Sequence, residues 1–228
     1  MTGISASSGP RRRVGVFGGS FNPIHFGHLL VADEVCEALA LERVLFVPAA
    51  RPPHKPAAQL ADARHRFEMT ALAVRERPGF EVSDVELRRA GPSYTVDTLT
   101  ALGRPGEDLI LIIGSETFLD LLGWKEPERL GRLARLAVVP RDGTPFDPAA
   151  PAVQKVLSGL GLPEFTRVPA GAAQATLPPG PLLVHAASLP ISGSDLRRRV
   201  REGRSLAYRL PTSVAAYIRE HGLYRTAS

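Results

Sequence analysis

The segment from Gly18 to His28 constrains the fold of this chain more than any other. It reads Gly-Gly-Ser-Phe-Asn-Pro-Ile-His-Phe-Gly-His and follows directly on the apolar run Val14–Phe17. An apolar run that ends in two glycines predicts a short buried strand and a sharp turn, and a helical pattern begins after the turn. That order brings backbone N–H groups, a helix N-terminus and the imidazoles of His25 and His28 to the end of a strand. In an open parallel sheet, such a place binds phosphate groups.

The length and cysteine content of the chain bound its organisation. Its 228 residues, 44% of them hydrophobic, can bury one large core. We expect residues 1–10 to be a disordered leader and residues 11–228 to form a single domain, with a C-terminal helical part at about 190–228. No apolar run approaches the roughly 20 residues that cross a bilayer. The single cysteine, Cys36, excludes an internal disulfide and fits a cytoplasmic protein.

The chain is basic, with a formal net charge of +5 at pH 7. Much of the excess comes from Arg11–Arg13 and from the arginines between Arg197 and Arg204. Aromatic residues make up only 6% of the chain and are not interleaved with the arginines, as a base-stacking platform would need. Attraction of small polyanionic substrates explains the charge better than a nucleic-acid groove does. We therefore expect neither a nucleic-acid nor a membrane partner.

Apolar, strand-like runs alternate along the chain with segments of helical period. This alternation predicts an α/β fold, a Rossmann-like open parallel sheet with helices on both faces. The predicted strands or extended segments are Arg13–Phe17, Arg43–Val47, Phe80–Leu87, Leu109–Ile113, Leu133–Val139, Phe165–Val168 and Leu182–His185. The Gly-x-Gly-x-x-Gly and P-loop fingerprints are both absent from the sequence, so it indicates neither a common dinucleotide site nor a P-loop.

The predicted helices lie between these strands and at the end of the chain. They cover about Gly27–Leu41, Ala61–Arg75, Tyr94–Leu102, Pro151–Leu157 and Pro211–His221, with one more starting near Ser194. The stretch Asp142–Pro181 is rich in Pro, Ala and Gly and has weak periodicity.

The spacing of the two histidines suits either a phosphate or a metal. His25 and His28 lie three residues apart, so in a first helical turn both can point at one ligand. Neither a cysteine nor a third histidine lies next to them, which argues against a metal site. Hydrogen bonding to phosphate oxygens is the better interpretation, and it would stabilise charge on a leaving pyrophosphate. Gly18 and Gly19 would let the phosphates approach bare backbone.

A second polar segment, Ile191–Arg197, begins a helix after the last predicted strand. Either Ser192 or Ser194 can cap that helix. Ser194 and Arg197 would offer donors to the β and γ phosphates of a nucleotide, because a guanidinium can bind two oxygens at once.

Together the two segments match the halves of the nucleotidyltransferase signature, in which His-x-Gly-His follows a Gly-Gly-[Ser/Thr]-Phe-[Asp/Asn]-Pro turn. The chain resembles the bacterial nicotinate-nucleotide adenylyltransferases of that superfamily from about Arg13 to Arg225, less closely between about Asp142 and Pro181. Further matching segments are the flexible loop Pro52–Lys55, the pyridine-side segment Pro92–Leu99, the adenosine-side strand end Ile112–Glu116, the aromatic plate Trp124 and the tail Leu210–Arg225.

The resemblance implies a single nucleotidyltransferase domain of the His-x-Gly-His type that catalyses a one-step reaction. The 5′-phosphate of nicotinic acid mononucleotide would attack the α-phosphorus of ATP, giving the deamido dinucleotide and pyrophosphate with no covalent enzyme intermediate. Catalysis would consist of positioning and charge neutralisation. Mg²⁺ would arrive with ATP, held mainly by phosphates and water. No metal site in the protein and no organic cofactor is implied.

The resemblance also assigns roles to residues. The catalytic residues would be His25, His28, Ser194 and Arg197. The ATP-binding residues would be Gly18, Gly19, Ser20, Phe21, Gly114, Glu116 and Ser192. The residues for the pyridine mononucleotide would be Asn22, His54, Lys55, Tyr94, Thr95, Trp124 and Lys125. Three of these depart from the usual family pattern, since Asn22 and Glu116 stand where Asp is usual and Ser194 stands where Thr is usual.

Several alternatives stay open at the level of sequence. The same chemistry could act on nicotinamide mononucleotide, phosphopantetheine or another small phosphomonoester. An RNA-linked function is suggested by the His-x-Gly-His motif of class I aminoacyl-tRNA synthetases, but the chain has no Lys-Met-Ser-Lys-like loop and no room for an anticodon-reading domain. A nucleotide-binding regulator without turnover is disfavoured by the intact pairing of both motif halves. The chain could be a monomer or a homodimer.

Overall fold

The computed structural model describes residues 11–54, 56, 60–140, 146–168 and 176–225. The expected leader and Lys55 lie outside these ranges. The described strands form one seven-stranded, fully parallel sheet in the order β3-β2-β1-β4-β5-β7-β6. Their bounds are β1 (Arg12–Gly19), β2 (Arg43–Pro48), β3 (Phe80–Val82), β4 (Glu107–Gly114), β5 (Arg135–Val139), β6 (Thr166–Val168) and β7 (Leu182–Val184).

Helices connect most successive strands. Their bounds are α1 (Phe26–Ala38), α2 (Ala63–Val74), α3 (Thr95–Leu102), α4 (Ser115–Leu119), α5 (Pro127–Leu133), α6 (Pro151–Gly159), α7 (Gly193–Arg201) and α8 (Thr212–Glu220), with a short 3₁₀ turn at Leu121–Gly123. The predicted α/β class, with a Rossmann-like open parallel sheet, is confirmed.

The two faces of the sheet bury separate apolar clusters. Along β4, Ile110 and Ile112 point into one cluster, while Leu109, Leu111 and Ile113 point into the other. The first cluster includes residues of α1, α2, α7 and α8, and the second includes residues of α3 to α6. A strand that is covered on both faces has a continuous apolar sequence, which is why β4 could be predicted from the sequence.

The strand order places a topological switch point between β1 and β4. The chain builds β1, β2 and β3 outward in one direction, then returns to place β4 on the other side of β1. The loops that follow β1 and β4 therefore diverge, leaving a crevice at the carboxyl edge of the sheet. Ligands of open α/β sheets bind at such crevices.

Two parts of the sequence-based prediction are wrong. The segment Phe80–Leu87 is strand only as far as Val82, because Ser83 and Asp84 begin turns, with the Ser83 hydroxyl accepting from Val85 N–H and the Asp84 carbonyl accepting from Arg88 N–H. Helices α4 and α5 were not predicted, because helices of five and seven residues are too short to show a period.

The helix predicted at Gly27–Leu41 also ends earlier, at Ala38. Ala40 adopts a left-handed backbone conformation with φ of 47°, and this reverses the chain toward β2. The remaining predicted elements lie within a few residues of the observed ones. Within the described residues, no helix is long and apolar enough to cross a bilayer.

Candidate active site

A cavity of about 800 Å³ opens at the carboxyl edge of the sheet, above the switch point. Its walls come from the turn after β1, the N-terminal turns of α1 and α3, the segment after β2, the start of α4 and the loop before α7. Fourteen of the predicted site residues line it: Gly18, Gly19, Ser20, Phe21, His25, His28, His54, Tyr94, Thr95, Gly114, Glu116, Trp124, Lys125 and Ser192. Segments that are far apart in sequence thus meet around one space.

The two histidines stack on each other at the entrance of α1. Their ring centroids lie 3.7 Å apart with 26° between the planes. His25 is the N-cap residue, and its backbone N–H donates to Nδ1 of His28 at 3.3 Å. Because Nδ1 of His28 accepts, the neutral ring carries its proton on Nε2, which makes Nε2–H a donor. Both imidazoles line the cavity at the helix entrance.

Gly27 and Phe21 hold this imidazole pair in place. A Cβ atom on Gly27 would lie 3.1 Å from Nδ1 of His25, so the glycine between the histidines makes room for the stacked ring. Phe21 packs edge-on against His28 with centroids 5.1 Å apart and is only 2% exposed. Its backbone has φ of 43°, a conformation that is strained for a residue with a side chain. Phe21 therefore supports His28 from behind.

Gly18 and Gly19, predicted as a turn, are the last two residues of β1, and this end of the strand, called the glycine turn together with the residues that follow it, leaves open space on its cavity side. A Cβ atom on Gly18 would meet no atom within 4 Å, although Gly18 lines the cavity. The carbonyl of Gly19 accepts from Ala49 N–H at 2.8 Å, which joins the end of β1 to the end of β2. The space beside Gly18 is therefore available to a ligand, as expected for a phosphate-binding turn.

The start of α7 packs against the outside of this turn. Ser192 is the N-cap, and its Oγ accepts from Asp195 N–H at 3.2 Å, which decides between the two candidate caps. Arg197 donates from Nη1 to the carbonyl oxygen of Asn22 at 2.8 Å. A Cβ atom on Gly193 would lie 2.9 Å from that same oxygen, so only glycine permits the approach.

Three of the predicted site residues are not part of the cavity wall. Ser194, Arg197 and Asn22 are all among the described residues, yet none lines the cavity. Asn22 is 6% exposed, and its Oδ1 accepts from Ala61 N–H at 3.1 Å. These residues build the back of the turn, and a direct contact between them and a substrate stays a prediction.

The opposite wall contains the aromatic residues. Tyr94 is the N-cap residue of α3, and Nζ of Lys125 lies 5.1 Å from the centre of its ring. The same Nζ pairs with both carboxylate oxygens of Asp97 at 3.1 Å. Trp124 lines the cavity and also packs against the second apolar cluster. This wall therefore combines aromatic faces with a helix N-terminus and an ammonium group, which suits a flat, anionic ring.

Some cavity residues were not predicted from the sequence, notably Glu86, Thr98 and Asp120. Glu86 is buried, and its Oε1 accepts from the Thr98 hydroxyl at 2.6 Å. Arg89 in turn donates to Thr98 Oγ1 at 3.2 Å. Glu86 lies in the segment Asp-Val-Glu-Leu-Arg-Arg, whose charged residues are typical of a solvent-exposed segment. The sequence therefore does not indicate that Glu86 is buried.

Comparison with known proteins agrees with this geometry. The family model described as cytidylyltransferase-like matches residues 16–199. A Thermus thermophilus protein named "Probable nicotinate-nucleotide adenylyltransferase" is 46% identical over 215 residues, which is 93% of this chain and 100% of that protein. A Thermomicrobium roseum protein of the same name is 44% identical over 94% of this chain and 92% of its own length.

A solved structure shows the same fold. It is the Plasmodium falciparum nicotinic acid mononucleotide adenylyltransferase complexed with NaAD, which aligns with a TM-score of 0.70 at 18% identity, over 93% of this chain and 97% of that one. The fold, the family model and the relatives together define a nucleotidyltransferase. The chain belongs to the cytidylyltransferase-like family and, within it, to the nicotinate-nucleotide adenylyltransferases.

Proposed function

We propose that this chain transfers the adenylyl group of ATP to nicotinic acid mononucleotide, forming nicotinic acid adenine dinucleotide and pyrophosphate, a step of NAD biosynthesis. One observation carries the proposal. A single cavity is lined both by the glycine turn with its two histidines and by the Tyr94, Thr95 and Trp124 wall. The first set suits a polyphosphate and the second suits a flat anionic ring, so the cavity can hold the two substrates side by side.

The reaction needs alignment and charge neutralisation more than a reactive side chain. A 5′-phosphate oxygen of the mononucleotide forms a bond to the α-phosphorus of ATP, and the bond from that phosphorus to the α,β-bridging oxygen breaks. The electron pair leaves with pyrophosphate, so negative charge grows on the leaving group. Donors that are fixed before the reaction stabilise this charge without reorganising.

The imidazoles and the helix entrance supply those donors. Nε2–H of His28 is a fixed donor because its Nδ1 is held by the His25 backbone N–H. The N-terminus of α1, a helix of 13 residues, adds its partial positive charge. Arg197 would contribute by holding the Asn22 carbonyl and hence the turn, and its guanidinium lies in the same region as the turn.

We propose that ATP binds as its Mg²⁺ complex. Mg²⁺ keeps several waters and is usually held through substrate phosphates with one or two carboxylates. Within the described residues, no group of three or more His, Cys, Asp and Glu side chains could hold a metal ion. The donors at the turn are N–H groups, which fit phosphate oxygens. Bound in this way, the metal would neutralise phosphate charge.

Selectivity for the acid over the amide would arise on the aromatic wall. The nicotinate carboxylate would accept from the Thr95 hydroxyl or from backbone N–H groups near Tyr94, with Lys125 close by. Backbone donors alone would reject the neutral amide only modestly, because the amide still presents a carbonyl oxygen. Nicotinamide mononucleotide is therefore the second candidate acceptor.

We also propose a cytoplasmic location, which the single cysteine of the chain supports.

Pyrophosphate release tests the proposal. Purified protein is incubated with MgATP and, in separate reactions, with nicotinic acid mononucleotide, nicotinamide mononucleotide and phosphopantetheine. We expect the largest kcat/KM with the nicotinate substrate and formation of the dinucleotide by chromatography. Equal or faster turnover of the amide would reassign the acceptor. Absence of pyrophosphate with every acceptor, from protein that is folded by circular dichroism, would contradict the assignment to adenylyl transfer.

A further inference from the structure

The most deeply buried cation among the described residues is Arg66 in α2, with 1% of its surface exposed. The desolvation of its guanidinium lowers the pKa of Arg66 from the ordinary value. A buried charge is tolerated only when its hydrogen-bonding groups are satisfied. The four hydrogen bonds that the structure gives Arg66 all go to backbone carbonyls, so the positions of those carbonyls show which segments the side chain holds.

The carbonyl acceptors of Arg66 belong to three separate segments around the cavity. Nη1 donates to the carbonyls of Ser20 at 2.9 Å and of Ala49 at 2.6 Å. Nη2 donates to Ala50 O at 3.2 Å, and Nε donates to Ala61 O at 2.9 Å. The first segment is the glycine turn after β1, the second follows β2, and the third precedes α2. One planar group thus joins all three.

Two of the joined segments line the cavity, and the third is bonded to the turn after β1. Ser20 and Ala49 line the cavity themselves. The backbone of Ala61 is held at two points, since its N–H donates to Asn22 Oδ1 while its carbonyl accepts from Arg66. Ala50 N–H donates to Oε2 of Glu86 at 3.4 Å, which connects the segment to the α3 side.

We propose that Arg66 is a positioning residue. By fixing the turn after β1 and the segment after β2 on one buried guanidinium, it aligns the part of the cavity proposed to hold the polyphosphate with the wall of Tyr94, Thr95 and Trp124. Arg66 does not itself line the cavity, so it contacts neither substrate. The inference rests on the proposed function, because alignment matters only where two substrates must meet. For such a reaction a misplacement of about 1 Å costs about 10²-fold in rate.

Lysine cannot replace arginine in this role. A guanidinium offers five N–H donors on three nitrogens in a fixed plane, and here all three nitrogens are used. A lysine ammonium offers three donors on one nitrogen. Arg66→Lys keeps the positive charge but leaves at least one of the four carbonyls without its donor. Arg66→Lys therefore tests geometry separately from charge.

The experiment measures kcat and the KM of each substrate for wild type, Arg66→Lys and Arg66→Met. Arg64 supplies the matched controls, Arg64→Lys and Arg64→Met, because it lies two residues earlier on the same helix and is exposed. We expect Arg66→Lys to lower kcat about 10-fold or more while each KM stays within about threefold, because each substrate keeps its own contacts. Arg66→Met should lose more, and both Arg64 variants should match wild type.

Hydrogen exchange supplies a readout that is independent of turnover. In Arg66→Lys, the amides of the turn at 19–22 and of the segment at 49–51 should both exchange faster than in wild type. In Arg64→Lys, their exchange rates should equal those of wild type. A kcat of Arg66→Lys within about threefold of wild type, or faster exchange confined to α2, would overturn the inference and leave Arg66 a structural residue. Lack of turnover in wild type and in both Arg64 variants would instead contradict the proposed function.

Discussion

The entrances of α1 and α7 carry the two halves of one sequence signature, yet they are built for different tasks. At α1 the side chains of the capping residues, His25 and His28, line the cavity. At α7 the side chain of Arg197 turns to the backbone of the opposite loop and bonds Asn22 O. Under the proposed function, the α1 entrance would present donors to a ligand, while Arg197 holds the turn that precedes α1, although Ser192 at the α7 entrance also lines the cavity. A motif whose halves are far apart in sequence therefore indicates that the two segments lie close together in the fold. The structure is needed to show what each segment does.

Gly18 at the end of β1 and Gly193 at the start of α7 show the same difference. Gly18 has no atom within 4 Å of an added Cβ, so its missing side chain leaves room for a ligand. Gly193 would place its Cβ 2.9 Å from Asn22 O, so its missing side chain leaves room for the protein. The comparison predicts that changes at His28 and Gly18 lower activity and that a change at Gly193 lowers stability.

The largest expected effect is that of His28→Ala on turnover. Removing one fixed donor to the developing charge should lower kcat about 10²–10³-fold. The fold should survive, because the lost bond from the His25 N–H is one helix cap, worth about 1 kcal/mol. Steady-state kinetics and thermal unfolding of the same preparation provide both measurements.

A second histidine serves as the control for this prediction. His185 is exposed at the end of β7 and does not line the cavity, so His185→Ala should leave kcat unchanged. If His28→Ala turns over within about threefold of wild type, His28 is not a catalytic residue and the assigned task of the α1 entrance is wrong.

The next effect is the opposite response of two glycine-to-alanine variants. Gly18→Ala should raise the KM for ATP and lower kcat/KM about 10-fold or more, with little change in the free energy of unfolding, since its methyl group enters open space. Gly193→Ala should lower the free energy of unfolding by about 1–3 kcal/mol, because an overpacked contact with backbone must shift. Urea titrations and ATP saturation curves separate the two responses. Equal losses of stability in both variants would remove the distinction between the entrances.

How far the sequence predicts this molecule depends on the length of each pattern. The five apolar residues from Leu109 to Ile113 and the 13-residue helix α1 give patterns long enough to predict element type. The short helices α4 and α5, and the end of β3 at Val82, depend on turns and packing that leave no period. The parallel sheet was predictable, but its seven-strand order was not.

The residues of the site also differ in how well the sequence predicts them. The glycine turn and the histidine pair are contiguous, so their chemistry could be predicted before their geometry. The orientation of Arg197 toward a carbonyl depends on tertiary packing, which the sequence does not display. Arg66 did leave a signal: it shares a helical face with Met69, Thr70 and Val74, all buried, at a spacing where an apolar residue is expected. An arginine on the buried face of a helix indicates that hydrogen-bond acceptors are arranged around its guanidinium.

The smallest expected effect is a pH-dependent one at the α7 entrance, from Asp195→Asn. The hydrogen bond from Arg198 holds the pKa of the partly exposed Asp195 carboxyl below its ordinary value. A carboxyl whose folded-state pKa is depressed stabilises the fold above its unfolded pKa, about 3.9, and this contribution disappears as the pH falls through the lower folded value. The variant should therefore be slightly less stable than wild type at pH 7, and the two should converge once the pH lies below the folded-state pKa of Asp195. Urea titrations at pH 7 and at a series of acidic pH values, with kcat unchanged at pH 7, would sharpen the division of tasks. A difference in stability that does not change with pH would show that the carboxylate charge contributes nothing to the entrance of α7.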